Sequence, residues 1–171
     1  MNKRSKTKNG DERHTLWGTF LKCIEIAGVQ YPDLDVAASD SFHWANAYYT
    51  KRENGLIKPW FVPHLGSKTV VWCNPPWSNI GPWVNKAWNS MLRGECSKVI
   101  MLIPDNRHGT QWRQKLVEWT RDGRENAMSQ VSLTTHYLPG RPKYGTPEDP
   151  AGKNQKTPPF GSMVLLWKRN N

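Results

Sequence analysis

A chain of 171 residues is long enough for one domain with its own hydrophobic core, and no internal repeat divides the sequence. Its 24 Lys and Arg exceed its 14 Asp and Glu, which gives a formal net charge of +10. This charge favours a polyanionic partner over a purely small-molecule role, although a soluble basic protein without such a partner could carry the same charge. The 3 cysteines lack disulfide or zinc spacing, and no apolar run approaches the roughly 18 residues of a membrane span, so we predict no disulfide framework, no metal site and no membrane contact.

The amino-terminal end combines a charged segment with a helix. Residues 1–13 are polar and mostly basic, which predicts a flexible tail that either touches a phosphate backbone or simply lies in solvent. The predicted domain covers residues 14–171. Within it, the apolar spacing of residues 16–27 predicts a helix that ends at Gly28.

The following segment is informative at its start and ambiguous after it. Residues 34–38 predict a short strand with Asp35 near its end, where the carboxylate could cap a following helix. Residues 39–69 show no clear periodicity, and their aromatic side chains favour core packing or a loop held by aromatics. Gly55, within this stretch, is expected to serve a turn.

The most informative stretch is residues 70–77, where a strand runs directly into Asn74, Pro75, Pro76 and Trp77. Valine and aromatic residues favour a buried strand, and the prolines stop it because neither can donate to a sheet ladder. Asn74 is therefore expected at the carboxyl end of a strand, which is where open α/β sheets bind their ligands.

The loop after this strand is rich in hydrogen-bond acceptors, because the two prolines have no backbone N–H. The Asn74 amide oxygen and the local carbonyls can accept, and Trp77 adds a flat, rigid face. This combination suits a planar group with an amino function, such as a nucleobase. Two accepted hydrogen bonds would hold the amino group and leave its lone pair directed at an electrophile, while the aromatic ring stacks on the base.

A helix over residues 82–93 and a fully buried strand over residues 97–104 complete a strand–helix–strand unit. This unit predicts an α/β fold with a mostly parallel, doubly wound sheet in a single compact domain. Residues 131–138 and 162–167 are expected to add two more strands.

Basic residues follow on the same rim of the predicted sheet. Residues 105–130 combine cations with an apolar helical face and suit a nucleic-acid groove, with Arg107 and Arg113 as candidate phosphate contacts. A solvated helix face is the alternative. Residues 139–159 are rich in Pro, Gly and Lys and predict a long loop that could fold onto DNA.

Taken in order, several segments resemble the small phage-type DNA N-6-adenine methyltransferases, which use S-adenosylmethionine. The matching segments are Trp17-Gly18-Thr19-Phe20, Leu34-Asp35-Val36-Ala37-Ala38, Asn54-Gly55-Leu56, Trp72-Cys73-Asn74-Pro75-Pro76-Trp77, Gly140-Arg141-Pro142-Lys143-Tyr144 and Pro159-Phe160-Gly161-Ser162-Met163-Val164-Leu165.

The resemblance implies a Rossmann-like class I methyltransferase fold and a set of donor-binding residues. Thr19, Asp35, Ala37 and Asn74 would hold S-adenosylmethionine, with Asp35 accepting from the ammonium of its methionine part, directly or through water. Thr19 matches the family pattern, while Phe20 stands where the family has proline.

The resemblance also implies the reaction and the substrate. A methyl group would pass from S-adenosylmethionine to the exocyclic amino group of an adenine flipped out of double-stranded DNA. Asn74 and the Pro75 carbonyl would accept the amino hydrogens, and Trp77 would stack on the ring where most relatives carry Tyr or Phe. Arg141 and Lys143 become candidate contacts to the DNA backbone or the target base.

Other functions stay open at this point. The same loop chemistry serves methylation of an RNA base or of a protein glutamine, and the basic charge disfavours the protein substrate. A DNA-binding protein that has lost catalysis is the alternative from another class, and Phe20, Asn54 and Trp77 are the departures it would explain. We expect a monomer or weak dimer in the cytoplasm of a bacterial host.

Overall fold

A computed structural model of the chain describes residues 13–106, 109–118 and 130–170. Its strands are β1 (His14–Thr15), β2 (Leu34–Asp35), β3 (Ala47–Tyr48), β4 (Val70–Cys73), β5 (Lys98–Pro104), β6 (Val131–Tyr137), β7 (Tyr144–Gly145) and β8 (Ser162–Arg169). Its helices are α1 (Trp17–Ala27), α2 (Gly81–Leu92) and α3 (Gln111–Arg113), which continues as a π-helical turn, Gln114–Glu118. In the part of the chain that is described, no helix has the length and apolar character needed to cross a bilayer.

The main sheet has the strand order β3-β2-β4-β5-β8-β6. Neighbouring strands from β3 to β5 run parallel, whereas β8 is antiparallel to both β5 and β6. Since β8 reverses direction between them, β6 points the same way as β5. The structure thus confirms the predicted mostly parallel α/β sheet.

Alternating side chains of the central strands fill two separate cores, one on each face of the sheet. On β4, Trp72 packs with α1 on one face, and Val71 and Cys73 pack with α2 on the other. The long strands β5 and β8 are buried on both faces in the same way. Helices on both faces explain why these strands read as continuous apolar runs rather than as alternating ones.

The topology brings several chain segments to one edge of the sheet. Asp35 at the end of β2 pairs with Trp72, two residues before Asn74, and the next N–H, of Val36, donates to the Trp72 carbonyl. β6 ends at this edge, and β8 begins here because it is antiparallel. The segment of residues 138–161 therefore leaves and rejoins the sheet at the same end as the carboxyl end of β4.

A small antiparallel ribbon of β1 and β7 connects the amino-terminal end to this segment. His14 pairs with Gly145, and its Nε2 donates to the Pro150 carbonyl at 2.8 Å. Of the tail predicted over residues 1–13, only Arg13 belongs to the described residues. The predicted long loop over residues 139–159 contains β7 in an otherwise irregular course.

The chain around Asp35 differs from the helix-cap expectation. Residues 36–46 form turns and bends without a helix, so Asp35 has no following helix to cap. Gly55 lies in the expected turn, in which the residue with positive φ is Asn54, at 58°. Gly55 is required for a different reason: an added Cβ there would overlap the Val36 carbonyl oxygen.

This close approach predicts a large effect of Gly55→Ala. The backbone near β2 would have to shift, and the Gly55 carbonyl that accepts the Trp60 indole N–H at 2.8 Å would shift with it. We expect the free energy of unfolding to fall by about 2–3 kcal/mol, as for other overpacked sites. Urea denaturation measures this change.

Gly18→Ala is the matched control. Gly18 is exposed in α1, and an added Cβ there meets open space, so the helix propensity of alanine should raise stability by about 0.5–1 kcal/mol. Equal unfolding midpoints for the two variants would contradict the tight approach at Gly55.

Candidate active site

The Asn-Pro-Pro-Trp motif begins immediately after β4. Cys73 closes the strand and is completely buried, Pro75 is buried, and Asn74, Pro76 and Trp77 are half-buried. Since the prolines have no N–H, the parallel ladder with β5 ends at Cys73. The motif therefore lines the carboxyl edge of the sheet and is not enclosed in its core.

The side-chain amide of Asn74 is held from one side only. Its Nδ2 donates to the Arg13 carbonyl at 3.1 Å, which turns Oδ1 the other way. Oδ1 is buried and receives no hydrogen bond from the described residues. An unsatisfied buried acceptor costs about 1–3 kcal/mol, so this atom is suited to a donor supplied by a ligand.

Trp77 lies in a cluster of aromatic and cationic groups. Tyr144 meets it edge-on with ring centroids 4.7 Å apart, and Phe160 meets it at 5.6 Å. The guanidinium carbon of Arg13 lies 4.9 Å from the Trp77 ring centroid, within the range of a cation–π contact. Arg13 therefore contacts both polar and aromatic ends of the motif, through its carbonyl and its guanidinium.

Asp35 is buried beside the motif at the end of β2. Its side chain is 3 % exposed, and its two oxygens accept from the Ala37 N–H at 3.2 Å and the Trp44 N–H at 2.9 Å. Burial raises the pKa of this carboxyl to about 6, against the opposing effect of the two backbone N–H donors and of nearby His43. Each oxygen retains a lone pair, so Asp35 can still accept from a cation.

An aromatic stack joins α1 to the loop of residues 36–46 that follows Asp35 (the acidic loop). Phe20 is fully buried and stacks on Trp44 with centroids 4.2 Å apart, while its edge meets Trp72 at 5.1 Å. The backbone N–H of the same Trp44 donates to Asp35. Phe20 thus fixes the loop that holds the carboxylate, which gives a structural reason for phenylalanine at this position.

The other two residues expected at the donor site are placed in the same region. Thr19 lies half-buried in the first turn of α1, directly before Phe20. Ala37 is half-buried two residues beyond Asp35 and donates its backbone N–H to that carboxylate. The geometry therefore brings Asp35, Ala37 and Asn74 to one edge of the sheet. Thr19 is linked to them only through its neighbour Phe20, which stacks on Trp44 beside Asp35.

The four candidate DNA contacts have different surroundings. Arg141 and Lys143 are exposed, just before β7. Arg113 is only 1 % exposed, and its guanidinium donates to the Asp105 carbonyl at 3.3 Å and the Tyr137 hydroxyl at 3.4 Å. This burial is at odds with the expected phosphate contact for Arg113, whose role here is to join α3 to β5 and β6. Arg107 lies outside the described residues.

A cleft of about 380 Å³ opens next to the motif. Arg13, Tyr144 and Phe160, the three residues that surround Trp77, also line this cleft. Thr19, Asp35, Ala37 and Asn74 do not line it. The cleft is therefore a separate compartment on the Trp77 side of the motif.

Sequence reasoning gave no role to the residues around Trp77, although Tyr144 and Phe160 stand in two of the segments that resemble the family. Arg13 belongs to the predicted tail, and it reaches Asn74 across 61 residues of sequence. Tyr144 and Phe160 lie in a segment without periodicity. The available signal was aromatic residues within the Pro- and Gly-rich stretch, which indicates a packed loop rather than a solvated one.

The sequence matches one family of known proteins over nearly its whole length. The sequence model of the DNA N-6-adenine-methyltransferase (Dam) family matches residues 4–170. A DNA N-6-adenine-methyltransferase of Escherichia phage T1 is 28 % identical over 123 residues, which are 71 % of this chain and 45 % of the phage protein. The chain therefore spans less than half the length of that relative.

Among solved structures, similarity is found to a candidate RNA methyltransferase from Pyrococcus horikoshii. The TM-score is 0.42 at 10 % identity, over 81 % of this chain and 63 % of the other.

Because the family match covers nearly the whole sequence, this chain belongs to the DNA N-6-adenine-methyltransferase family.

Proposed function

We propose that the chain transfers a methyl group from S-adenosylmethionine to the exocyclic amino group of an adenine in double-stranded DNA. The observation that carries this proposal is the buried, unpartnered Oδ1 of Asn74 at the carboxyl end of β4, in a chain of this family. An amino group is the donor that completes this acceptor. In an intact duplex the adenine is stacked, so it must be flipped out, at a cost of a few kcal/mol.

The chain aligns the amine, and the proposed transfer requires no general base. Asn74 Oδ1 accepts one amino hydrogen and the Pro75 carbonyl accepts the other, which directs the nitrogen lone pair away from both acceptors. The Trp77 ring stacks on the flipped base. The N–C bond then forms as the S–C bond of the donor breaks, and the extra amino proton leaves to solvent. Alignment of this kind can supply a large part of the acceleration.

The residues at the edge of β2 fit the methyl donor. S-adenosylmethionine, when bound, supplies the electrophilic methyl carbon. Asp35 is a buried carboxylate with a raised pKa, and an ammonium group next to it would offset the unfavourable burial of its charge. We assign donor binding to Thr19, Asp35, Ala37 and Asn74 on this basis.

Charge and position support DNA as the partner. The net charge is +10, and the exposed Arg141 and Lys143 lie in the segment that packs over Trp77. Both cations would meet phosphate next to the target base. We place this activity in the cytoplasm of a bacterial host, and monomer or weak dimer stays our prediction for the oligomeric state.

Asn74→Ala tests the catalytic assignment. Removing the acceptor should lower methyl transfer from labelled S-adenosylmethionine to unmethylated plasmid DNA by about 100-fold or more, as for removal of other alignment groups. Donor affinity, measured by titration calorimetry, should weaken as well but by a smaller factor, because Thr19, Asp35 and Ala37 remain.

Asn79→Ala is the control, because Asn79 is exposed in the same loop and its N–H bonds only the Pro76 carbonyl in this structure. It should match the wild type. An active Asn74→Ala variant would refute the role of Asn74, and a wild type that binds DNA without binding the donor would favour a non-catalytic DNA-binding protein.

Donor binding should also depend on pH through Asp35. If a bound ammonium lowers the pKa of Asp35 below its value of about 6, the ionised form binds more tightly, so affinity should be highest above pH 6 and weaken as pH falls through it toward 5. Calorimetric dissociation constants between pH 5 and 7 measure this.

Asp35→Asn provides the comparison for the pH experiment. Its affinity should be weaker and nearly constant over the same range, because the titrating group is gone. A wild-type affinity that does not change between pH 5 and 7 would count against contact of the donor with Asp35.

A further inference from the structure

The cleft beside Trp77 has the composition of a nucleotide-binding site. It is lined by two cationic side chains, Arg13 and Lys156, by amide and hydroxyl groups including Asn154 and Thr146, and by the aromatic Phe160. None of the described residues that line it carries a carboxylate. Its volume of about 380 Å³ lies at the lower end of the range for ligand sites, about 300–1,000 Å³, so its size suits a single nucleotide.

The outer wall of the cleft is organised by hydrogen bonds and does not depend on a ligand to fold it. The Asp149 carboxylate accepts from the Lys153 N–H at 3.1 Å, the Asn154 N–H at 2.8 Å and the Gln155 side-chain amide at 3.4 Å. The Asp149 N–H in turn donates to Thr146 Oγ1 at 3.2 Å. These bonds fold the turn that carries Asn154 and orient the cleft wall in advance.

The inner wall is fixed to the sheet. Tyr144 is 3 % exposed, and its hydroxyl is 2.7 Å from that of Ser162 at the start of β8. A Cβ added to Gly145 would overlap the His14 ring, so glycine there lets β1 cross closely and places Arg13 over Trp77. The cleft and the proposed base-stacking ring therefore share one rigid set of residues.

We infer that this cleft binds the nucleotide that flanks the flipped adenine on the same DNA strand, with its phosphate between Arg13 and Lys156 and its base against Phe160. The inference rests on the proposed function, since it assumes that the target base lies at Asn74 and Trp77. A strand leaving Trp77 enters the cleft directly because Arg13, Tyr144 and Phe160 border both. The cleft thereby contributes to the choice of sequence next to the target.

Lys156→Gln tests the phosphate contact by equilibrium binding, without requiring methyl transfer. Using a fluorescently labelled duplex at several salt concentrations, we expect weaker binding and a slope of log K against log salt smaller by about 0.7–0.9, the value for one phosphate contact. Lys153→Gln is the matched control, because Lys153 is exposed in the same turn and does not line the cleft. Equal slopes and affinities for the two variants would overturn the inference.

Thr157→Trp tests entry into the cleft without removing a charge. Thr157 is an exposed lining residue, and an indole there would fill the space, so DNA affinity should fall about 10-fold. Ala151→Trp, exposed in the same segment but outside the cleft, should bind DNA like the wild type. Unchanged binding by Thr157→Trp would overturn the inference.

These binding results separate the inference from the proposed function. A wild type that methylates DNA while the cleft variants bind like their controls would leave the function standing and remove the nucleotide site. If the wild type transfers no methyl group but its DNA binding depends on the cleft, the target adenine cannot be placed at Asn74 and Trp77. The occupant of the cleft could then no longer be assigned as the flanking nucleotide.

Discussion

One hydrogen bond, from Asn74 Nδ2 to the Arg13 carbonyl, sets the orientation of the amide on which the rest of the site depends. It directs Oδ1 toward the edge of the sheet, where no described residue donates to it. The two prolines keep backbone donors away from the same place. An acceptor that is buried without a donor costs about 1–3 kcal/mol of stability. A ligand that donates an amino hydrogen to Oδ1 would offset this cost.

The sheet topology explains why distant segments of the chain lie close to Asn74. The ends of β2, β4 and β6 and the start of β8 lie at one edge, so the acidic loop at Asp35 and the segment of residues 138–161 both reach the motif. The β1–β7 ribbon then carries Arg13 onto Asn74 and Trp77. In the proposed function, the acidic loop holds the donor, the motif holds the amine, and the basic cleft holds the strand that carries it.

The parts of this account that the sequence predicted are those fixed by local chemistry. Strand β4 with its proline stop, helix α1 with its left-handed Gly28 at φ 62°, and the buried β5 all follow from residues close together in the chain. The positions that sequence reasoning missed or misjudged depend on distant partners. Arg13 acquires its role only through the β1–β7 pairing, and Arg113 is held in the interior by Asp105, just after β5, and by Tyr137 at the end of β6. Gly55 does lie in the predicted turn, but the contact with the Val36 carbonyl that requires glycine there could not be read from the sequence.

The most direct test of the central claim is a crystal structure of the chain with S-adenosylhomocysteine and a duplex that contains its mapped target adenine. We expect the adenine outside the helix, its ring against Trp77 and its amino nitrogen about 3 Å from Asn74 Oδ1. A structure in which Oδ1 accepts a hydrogen bond from the protein itself, with the adenine bound elsewhere, would contradict it.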